Sequence, residues 1–174
     1  MISSSAMLYS ILVASTVHPV SAASSRYADF GECTVIDGAA RQGRDWISHR
    51  CDGIAGLPIW LTNSDSTRSA LGFGARANMS GMFNAERDQD WPLELRGVEG
   101  ENGFQPHAVI VRMMRPRADV ATDGIGLLFV YRLREDGTSC LIASDLRSHE
   151  KAREIADAAT EEFVCTEEPQ IPAD

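Results

Sequence analysis

The stretch from Trp46 to Gly74, WISHRCDGIAGLPIWLTNSDSTRSALGFG, restricts the fold more than any other part of the chain. Trp46 to Cys51 alternates in polarity, Asp52 to Gly56 holds two glycines and no strong strand former, and Leu57 to Leu61 alternates again before a Ser/Thr/Asn/Asp break. This predicts a hairpin followed by a third strand. Because successive strand side chains point to opposite faces, Ile47, His49 and Cys51 share one face, and Leu57, Ile59 and Leu61 share the inward face of the partner strand. Leu71 and Phe73 continue that face. Pro58 suits an edge or a strand start. Upstream, Cys33-Thr34-Val35-Ile36 is a short strand signal ended by Asp37-Gly38.

Cys33, Cys51, Cys140 and Cys165 form an even set, and the start of the chain tells which compartment they meet. Ala6 to Val17 is a short apolar run followed by the small residues of Val20-Ser21-Ala22 and Ser21-Ala22-Ala23, the pattern of a signal peptide over residues 1–23. The run is too short to span a bilayer, so no membrane span is expected in the mature chain. Residues 24–174 then make one exported domain, periplasmic or secreted. In that oxidising setting the cysteines are expected to form two disulfides. The favoured pairing is Cys33–Cys51 and Cys140–Cys165, each closing a loop of about 20 residues and contributing roughly 3 kcal/mol on the chain-entropy model.

All charged residues follow the expected cut, so the exported part keeps the net charge of −9. That charge argues against nucleic acid and anionic membranes as partners.

Further along, Ala75 to Asp90 reads as a long connection or a short helix. Trp91, Leu93 and Leu95 alternate with Pro92, Glu94 and Arg96 as a half-buried strand. Gly97 to Gly103 reads as a loop, and Gln105 to Met114 as a central strand apolar on both faces, with His107, Val109, Val111 and Met113 sharing one of them. Arg115 to Gly124 reads as a loop, and Ile125 to Leu133 as a second central strand. Asp136-Gly137 signals a two-residue hairpin, which sets Leu133 opposite Cys140 and Tyr131 opposite Ile142. One face then carries Ile125, Leu127, Phe129, Tyr131, Leu133, Cys140 and Ile142. An amphipathic helix begins at the N-cap Ser148, with Ala152, Ile155, Ala156, Ala159 and Phe163 at helical spacing, and ends near Cys165. It is expected to cover the aromatic face, pinned there by Cys140–Cys165.

No stretch carries recognisable chemistry. Gly-x-Ser-x-Gly is absent, Gly72-Phe73-Gly74 lacks the third glycine of a phosphate loop, and Asn63-x-Asp65-x-Thr67 fails as a calcium loop at Arg68 and Gly74. His49 and His107 read as strand residues and His149 as a helix first-turn residue. Glu94, Arg96, Arg112 and Arg132 read as a solvated or self-paired sheet face, or else as a polar patch for an anionic ligand. No catalytic, cofactor or metal residues are assigned. Trp46, Trp60 and Arg112 are the candidate interaction residues, the tryptophans because large aromatics dominate interface hot spots and Arg112 as a member of that polar patch.

Several pieces together resemble small exported alphaproteobacterial proteins of unknown function. They are Gly56-x-Pro58-Ile59-Trp60 with Arg68 and Gly74, then Phe83-Asn84, Leu93-Glu94-Leu95-Arg96 and Pro106-x-Ala108-x-Ile110-x-Arg112. Cys140-x-Ile142-Ala143, Ala152-Arg153-x-x-Ala156-Asp157 and Phe163-x-Cys165 complete the set. The likeness covers most of residues 24–174; His107 stands where an aromatic is more usual. The resemblance implies export, two disulfides and a single domain, and no activity.

The expected fold is α+β: an antiparallel sheet of about six to eight strands with one C-terminal helix packed on one face. The expected function is a non-enzymatic binding or interaction module of the cell envelope, its partner an envelope protein or a small molecule. Two other classes remain: an inhibitor of a basic envelope-attacking enzyme such as lysozyme, contacting it through residues such as Ser80 and Arg87, and an exported hydrolase using carboxylates.

Overall fold

A computed structural model describes residues 22–38, 46–54, 56–64, 68–75, 86–87, 92–117 and 120–159. Within them the chain forms two antiparallel sheets and one helix. The smaller sheet contains β2 (Cys33–Gly38), β3 (Trp46–Ile54), β4 (Leu57–Ser64) and β5 (Arg68–Phe73), in that order. This is the meander read from the sequence, with Ile59 opposite Phe73 and Leu61 opposite Leu71. Cys33 stands opposite Cys51 and the two are joined by a disulfide. Cys51 is fully buried, as the alternation required.

The larger sheet corrects the expectation of a single one. Its order is β1 (Ser24–Ala28), β7 (Leu93–Gly100), β8 (Gly103–Arg117), β9 (Val120–Leu133) and β10 (Ser139–Leu146), with the two-residue β6 (Glu86–Arg87) also pairing with β8. The segment read as a polar lead supplies β1. Gly97 to Gly103, read as a loop, is mostly strand: Gly100 faces Gly103 across a tight turn. Arg115 to Gly124, also read as a loop, extends β8 and β9, apart from residues 118 and 119, which lie outside the described residues. The ladder shifts register between Arg115 and Arg117, around Pro116, which has no N–H to give.

Two apolar layers result. Leu93, Leu95, Val109, Val111, Met113, Leu127, Phe129, Tyr131 and Leu133 of the larger sheet pack against Cys51, Ile59, Leu61, Leu71 and Phe73 of the smaller. Phe73 and Tyr131 meet edge to face across the layer, 5.0 Å between centroids. On the opposite face of the larger sheet, Ala108, Ile110, Leu128, Val130, Ile142, Ala143 and Leu146 pack against Ala152 and Ala156 of α1 (His149–Ala158). With both faces covered, β8 and β9 must be apolar on both, and they are.

The helix therefore covers the face opposite to the expected one; a second sheet covers Phe129 and Tyr131. The cause is a one-residue difference at the hairpin. Arg134 N–H donates to the Thr138 carbonyl at 2.9 Å, Gly137 N–H donates to the Arg134 carbonyl at 3.0 Å, and Gly137 has φ +76°. This is a three-residue loop with a left-handed glycine in place of a two-residue turn. Ser139 now faces Leu133 and Cys140 faces Arg132. A slip of one residue moves a side chain to the other face, so Cys140 joins the helix side.

Ser148 caps α1 as expected, its hydroxyl accepting from Lys151 N–H at 3.2 Å. Phe163 and Cys165 lie outside the described residues. Cys140 is disulfide-bonded, but the described residues contain one complete disulfide, Cys33–Cys51, where two were expected.

Candidate functional site

Between α1 and the edge of the larger sheet lies a band of charge. Glu94 and Arg96 are two apart on β7 and share its helix-facing side; Arg153 and Asp157 are four apart on α1. Two strand residues advance about 6.6 Å and four helical residues about 6 Å. The two pairs therefore meet in register with opposite signs. Arg153 Nε donates to Glu94 Oε1 at 2.6 Å, and Arg96 donates from Nε and Nη2 to the two oxygens of Asp157 at 2.9 and 2.5 Å. β1 closes the band: Ser25 Oγ donates to Glu94 at 2.5 Å and accepts from Arg96 at 2.7 Å, and Tyr27 Oη accepts from Arg153 at 3.0 Å.

Glu94 and Arg96, read as members of a solvated or self-paired sheet face, are in fact buried, 2% and 8% exposed. Their charged partners are on the helix, and Ser25 of the neighbouring strand β1 bridges the two. Burial alone would raise the Glu94 pKa. The hydrogen bonds from Arg153 and Ser25, with the charges of Arg153 and of His149 at 3.7 Å, outweigh burial and hold it below the ordinary carboxyl value.

At one end of this band the β7–β8 ladder carries a bulge. Arg96 pairs with Ala108 and Gly97 with Pro106, leaving His107 as the extra residue. Pro106 suits this place because it cannot donate to a ladder. A bulge re-aims the side chain it carries. His107, expected on the face of Val109 and Val111, instead stands on the helix side with Nε2 3.6 Å from Asp157 Oδ1. That distance is too long for a hydrogen bond, and Nε2 has no hydrogen-bond partner among the described residues. Burial lowers the His107 pKa, Asp157 opposes the change, and the charges of Arg96 and Arg132 add to it; the net shift is downward.

His107 and Asp157 form one wall of a cleft of about 560 Å³. Arg132, Leu133, Arg134 and Glu135 reach it from the end of β9 and the hairpin that follows; Val98, Gln105 and Pro106 come from β7 and β8, and Ala159 from the helix C-cap. The volume lies within the roughly 300–1,000 Å³ usual for small-molecule sites, and apolar wall plus a few convergent polar groups is the usual composition. Charges of both signs line it. Arg132 is 6% exposed, whereas the Arg134 side chain is 46% exposed and meets Asp136 at 3.5 Å.

The residues singled out from the sequence are not brought together. Trp60 lies on the outer face of the smaller sheet, half-buried, with its Nε1–H donating to the Gly74 carbonyl at 2.6 Å and the Arg50 guanidinium 5.8 Å from the ring centroid. Arg112 is on the helix-facing side of β8, lying across Gly126 of β9. Trp46 opens β3, and its side chain lies outside the described residues, as do Ser80 and the Arg87 side chain. His49 stays on the inner face of the smaller sheet, opposite Leu61.

Asp157, Arg134 and Glu135 escaped the sequence reading as site residues. A signal for the first existed: Glu94-x-Arg96 on a strand and Arg153-x-x-x-Asp157 on a helix have matching spans and opposite charge order.

Comparison with known proteins yields no match: no family model fits the chain, and no curated protein or solved structure is significantly similar to it.

Proposed function

We propose that this protein is an exported, non-enzymatic binding module of the cell envelope, and that its ligand seat is the cleft between the β9–β10 hairpin and the end of α1. The observation that carries this reading is the concave site of about 560 Å³ between β7, β8, the β9–β10 hairpin and the end of α1, with His107 turned towards it by a ladder bulge. Export is supported by the apolar N-terminal run and is compatible with the Cys33–Cys51 disulfide. Cys140–Cys165 remains the proposed second bridge.

The hydrolase reading is favoured by one observation, that Glu135 and Asp157 line the same cleft. Binding fits better, because both Asp157 oxygens already accept from Arg96 and are committed to holding the helix. The experiment compares the purified, oxidised protein with Gln105→Trp, which fills the cleft from an exposed position on β8. Both are incubated with envelope extract, freed of unbound solutes by gel filtration, and analysed by mass spectrometry for retained small molecules. A species held by the parent and lost from the variant is the expected result. Equal retention by both, or retention by neither, would refute the assignment of the cleft.

A further inference from the structure

We infer that the cleft takes an uncharged amphiphile, an alcohol whose hydroxyl donates to His107 Nδ1 while its hydrocarbon part lies on Val98, Pro106, Leu133 and Ala159; this rests on the binding reading above. In the lining, Arg132 and Arg134 balance Glu135 and Asp157, and the partners just outside it, Arg96 and Asp136, balance each other. The site offers a ligand no net charge. Nor is any of the four lining charges idle. Asp157 accepts two hydrogen bonds from Arg96, Arg134 faces Asp136 at 3.5 Å, and Arg132 and Glu135 are engaged as well. A ligand carboxylate would have to take a guanidinium from its present partner, and an ammonium would have to take a carboxylate. Either exchange leaves a group of the ligand's own sign uncompensated beside it, which offsets the gain of the new pair. An uncharged ligand disturbs none of these contacts.

His107 is the lining group with hydrogen-bonding capacity left to give. Its Nε2 is closed off from solvent, has no hydrogen-bond partner among the described residues and lies 3.6 Å from Asp157 Oδ1. A lone pair aimed at that carboxylate would be repelled, so Nε2 carries the ring proton and Nδ1 keeps the lone pair. Burial and the charges of Arg96 and Arg132 outweigh the pull of Asp157, so the ring is uncharged at neutral pH. The side chain is 31% exposed, almost none of it through Nε2, and it lines the cleft; the ring therefore presents its Nδ1 edge there. A neutral acceptor beside an apolar wall selects a hydroxyl donor. An ether of the same size has no proton to give it.

The test follows backbone amide chemical shifts of the oxidised protein, at slightly alkaline pH, during titration with hexanol, methyl pentyl ether, hexanoate and hexylamine. Hexanol is expected to perturb Val98, His107, Leu133 and Ala159 at the lowest concentration. The ether should bind about threefold to tenfold more weakly, the worth of one neutral hydrogen bond. Hexanoate and hexylamine should be at least about tenfold weaker than hexanol, because each must break an existing pair. His107→Phe keeps a ring and removes both nitrogens, and should bring hexanol down to the affinity of the ether. The comparison of the two on the parent protein stands whether or not that variant folds. Tighter binding of hexanoate or hexylamine, or equal binding of hexanol and the ether by the parent, would overturn the hydroxyl assignment and leave the cleft a binding site. No perturbation of these amides by any probe at millimolar concentration would overturn both.

Discussion

At the scale of single residues, Glu94 carries the most consequence. It is buried, and its oxygens receive hydrogen bonds from Arg153 and Ser25. Removing one member of a buried pair leaves the other uncompensated, at about 3–5 kcal/mol. Arg153 is 39% exposed and regains some water, so Glu94→Gln is expected to destabilise by about 2–3 kcal/mol in urea unfolding at pH 7. The sign of the pH dependence follows from its lowered pKa. A depressed carboxyl stabilises fully above its unfolded value, near 4.5, and loses that contribution as pH falls through the lower folded value. The gap between parent and Glu94→Gln should therefore be flat from neutral pH down to about pH 5 and close below pH 4.5. A gap that persists unchanged at pH 3 would mean that the ionised form is not what stabilises. Glu94 was legible as a strand residue and illegible as a buried one. An apolar/polar alternation reads the same whether the polar face meets water or a charged helix, and only the matching spans on α1 distinguish the two. His107 shows the opposite failure: its strand was legible, but alternation assigns a face only while the ladder is regular, and the bulge beside Pro106 is not.

Among the elements, the β9–β10 hairpin and the end of β5 form one corner that ties the sheets together. Phe73 N–H donates to Ser139 Oγ at 2.9 Å, and Ala75 N–H donates to the Gly137 carbonyl at 2.6 Å. Gly74 and Gly137 both have positive φ, +78° and +76°, but their surroundings differ. A Cβ at Gly137 meets nothing within 4 Å, whereas one at Gly74 would fall 1.9 Å from the Gly137 carbonyl oxygen. Gly137→Ala is expected to cost about 1–2 kcal/mol, the penalty of the left-handed conformation alone. Gly74→Ala adds a backbone clash and should cost about 2–3 kcal/mol more, a difference that thermal denaturation of the two variants measures directly. Equal losses would mean that the corner yields freely. For α1, Ser148→Ala removes the hydroxyl acceptor of Lys151 N–H and should cost about 1 kcal/mol, seen as a lower urea midpoint at constant slope. The helix start was legible because the cap is a local signal. Its docking face was not, because that depended on whether Asp136-Gly137 closes a loop of two residues or of three, and both choices satisfy the same dipeptide.

Taken as a whole, the molecule is a sandwich with a helix on its outer side, and that arrangement explains both what the strand patterns revealed and what they hid. Apolar residues on both sides of β8 and β9 require cover on both sides of one sheet, which is what identified them as central. They do not say what provides the cover, and a helix and a second sheet both satisfy the same apolar face. The smaller sheet was read correctly strand by strand because β3, β4 and β5 follow one another with short connections. That it stands as a separate layer depends on contacts between residues far apart in the chain, such as Phe73 with Tyr131. The Cys33–Cys51 bridge bears on this layer at its edge. Among the described residues β2 pairs with β3 alone, and Val35 and Ile36 on it are exposed, so little apolar burial holds it. The disulfide closes a separation of 18 residues, which restricts the unfolded chain by roughly 3 kcal/mol. The double variant Cys33→Ala with Cys51→Ala should melt about 6–12 °C lower. Hydrogen exchange gives the sharper test. Amides of β2 should lose protection first, while those paired between β4 and β5 and within the larger sheet stay protected, since the sandwich core does not run through β2. Uniform loss of protection across both sheets would instead make the bridge a support of the whole core, with β2 no longer a separable edge.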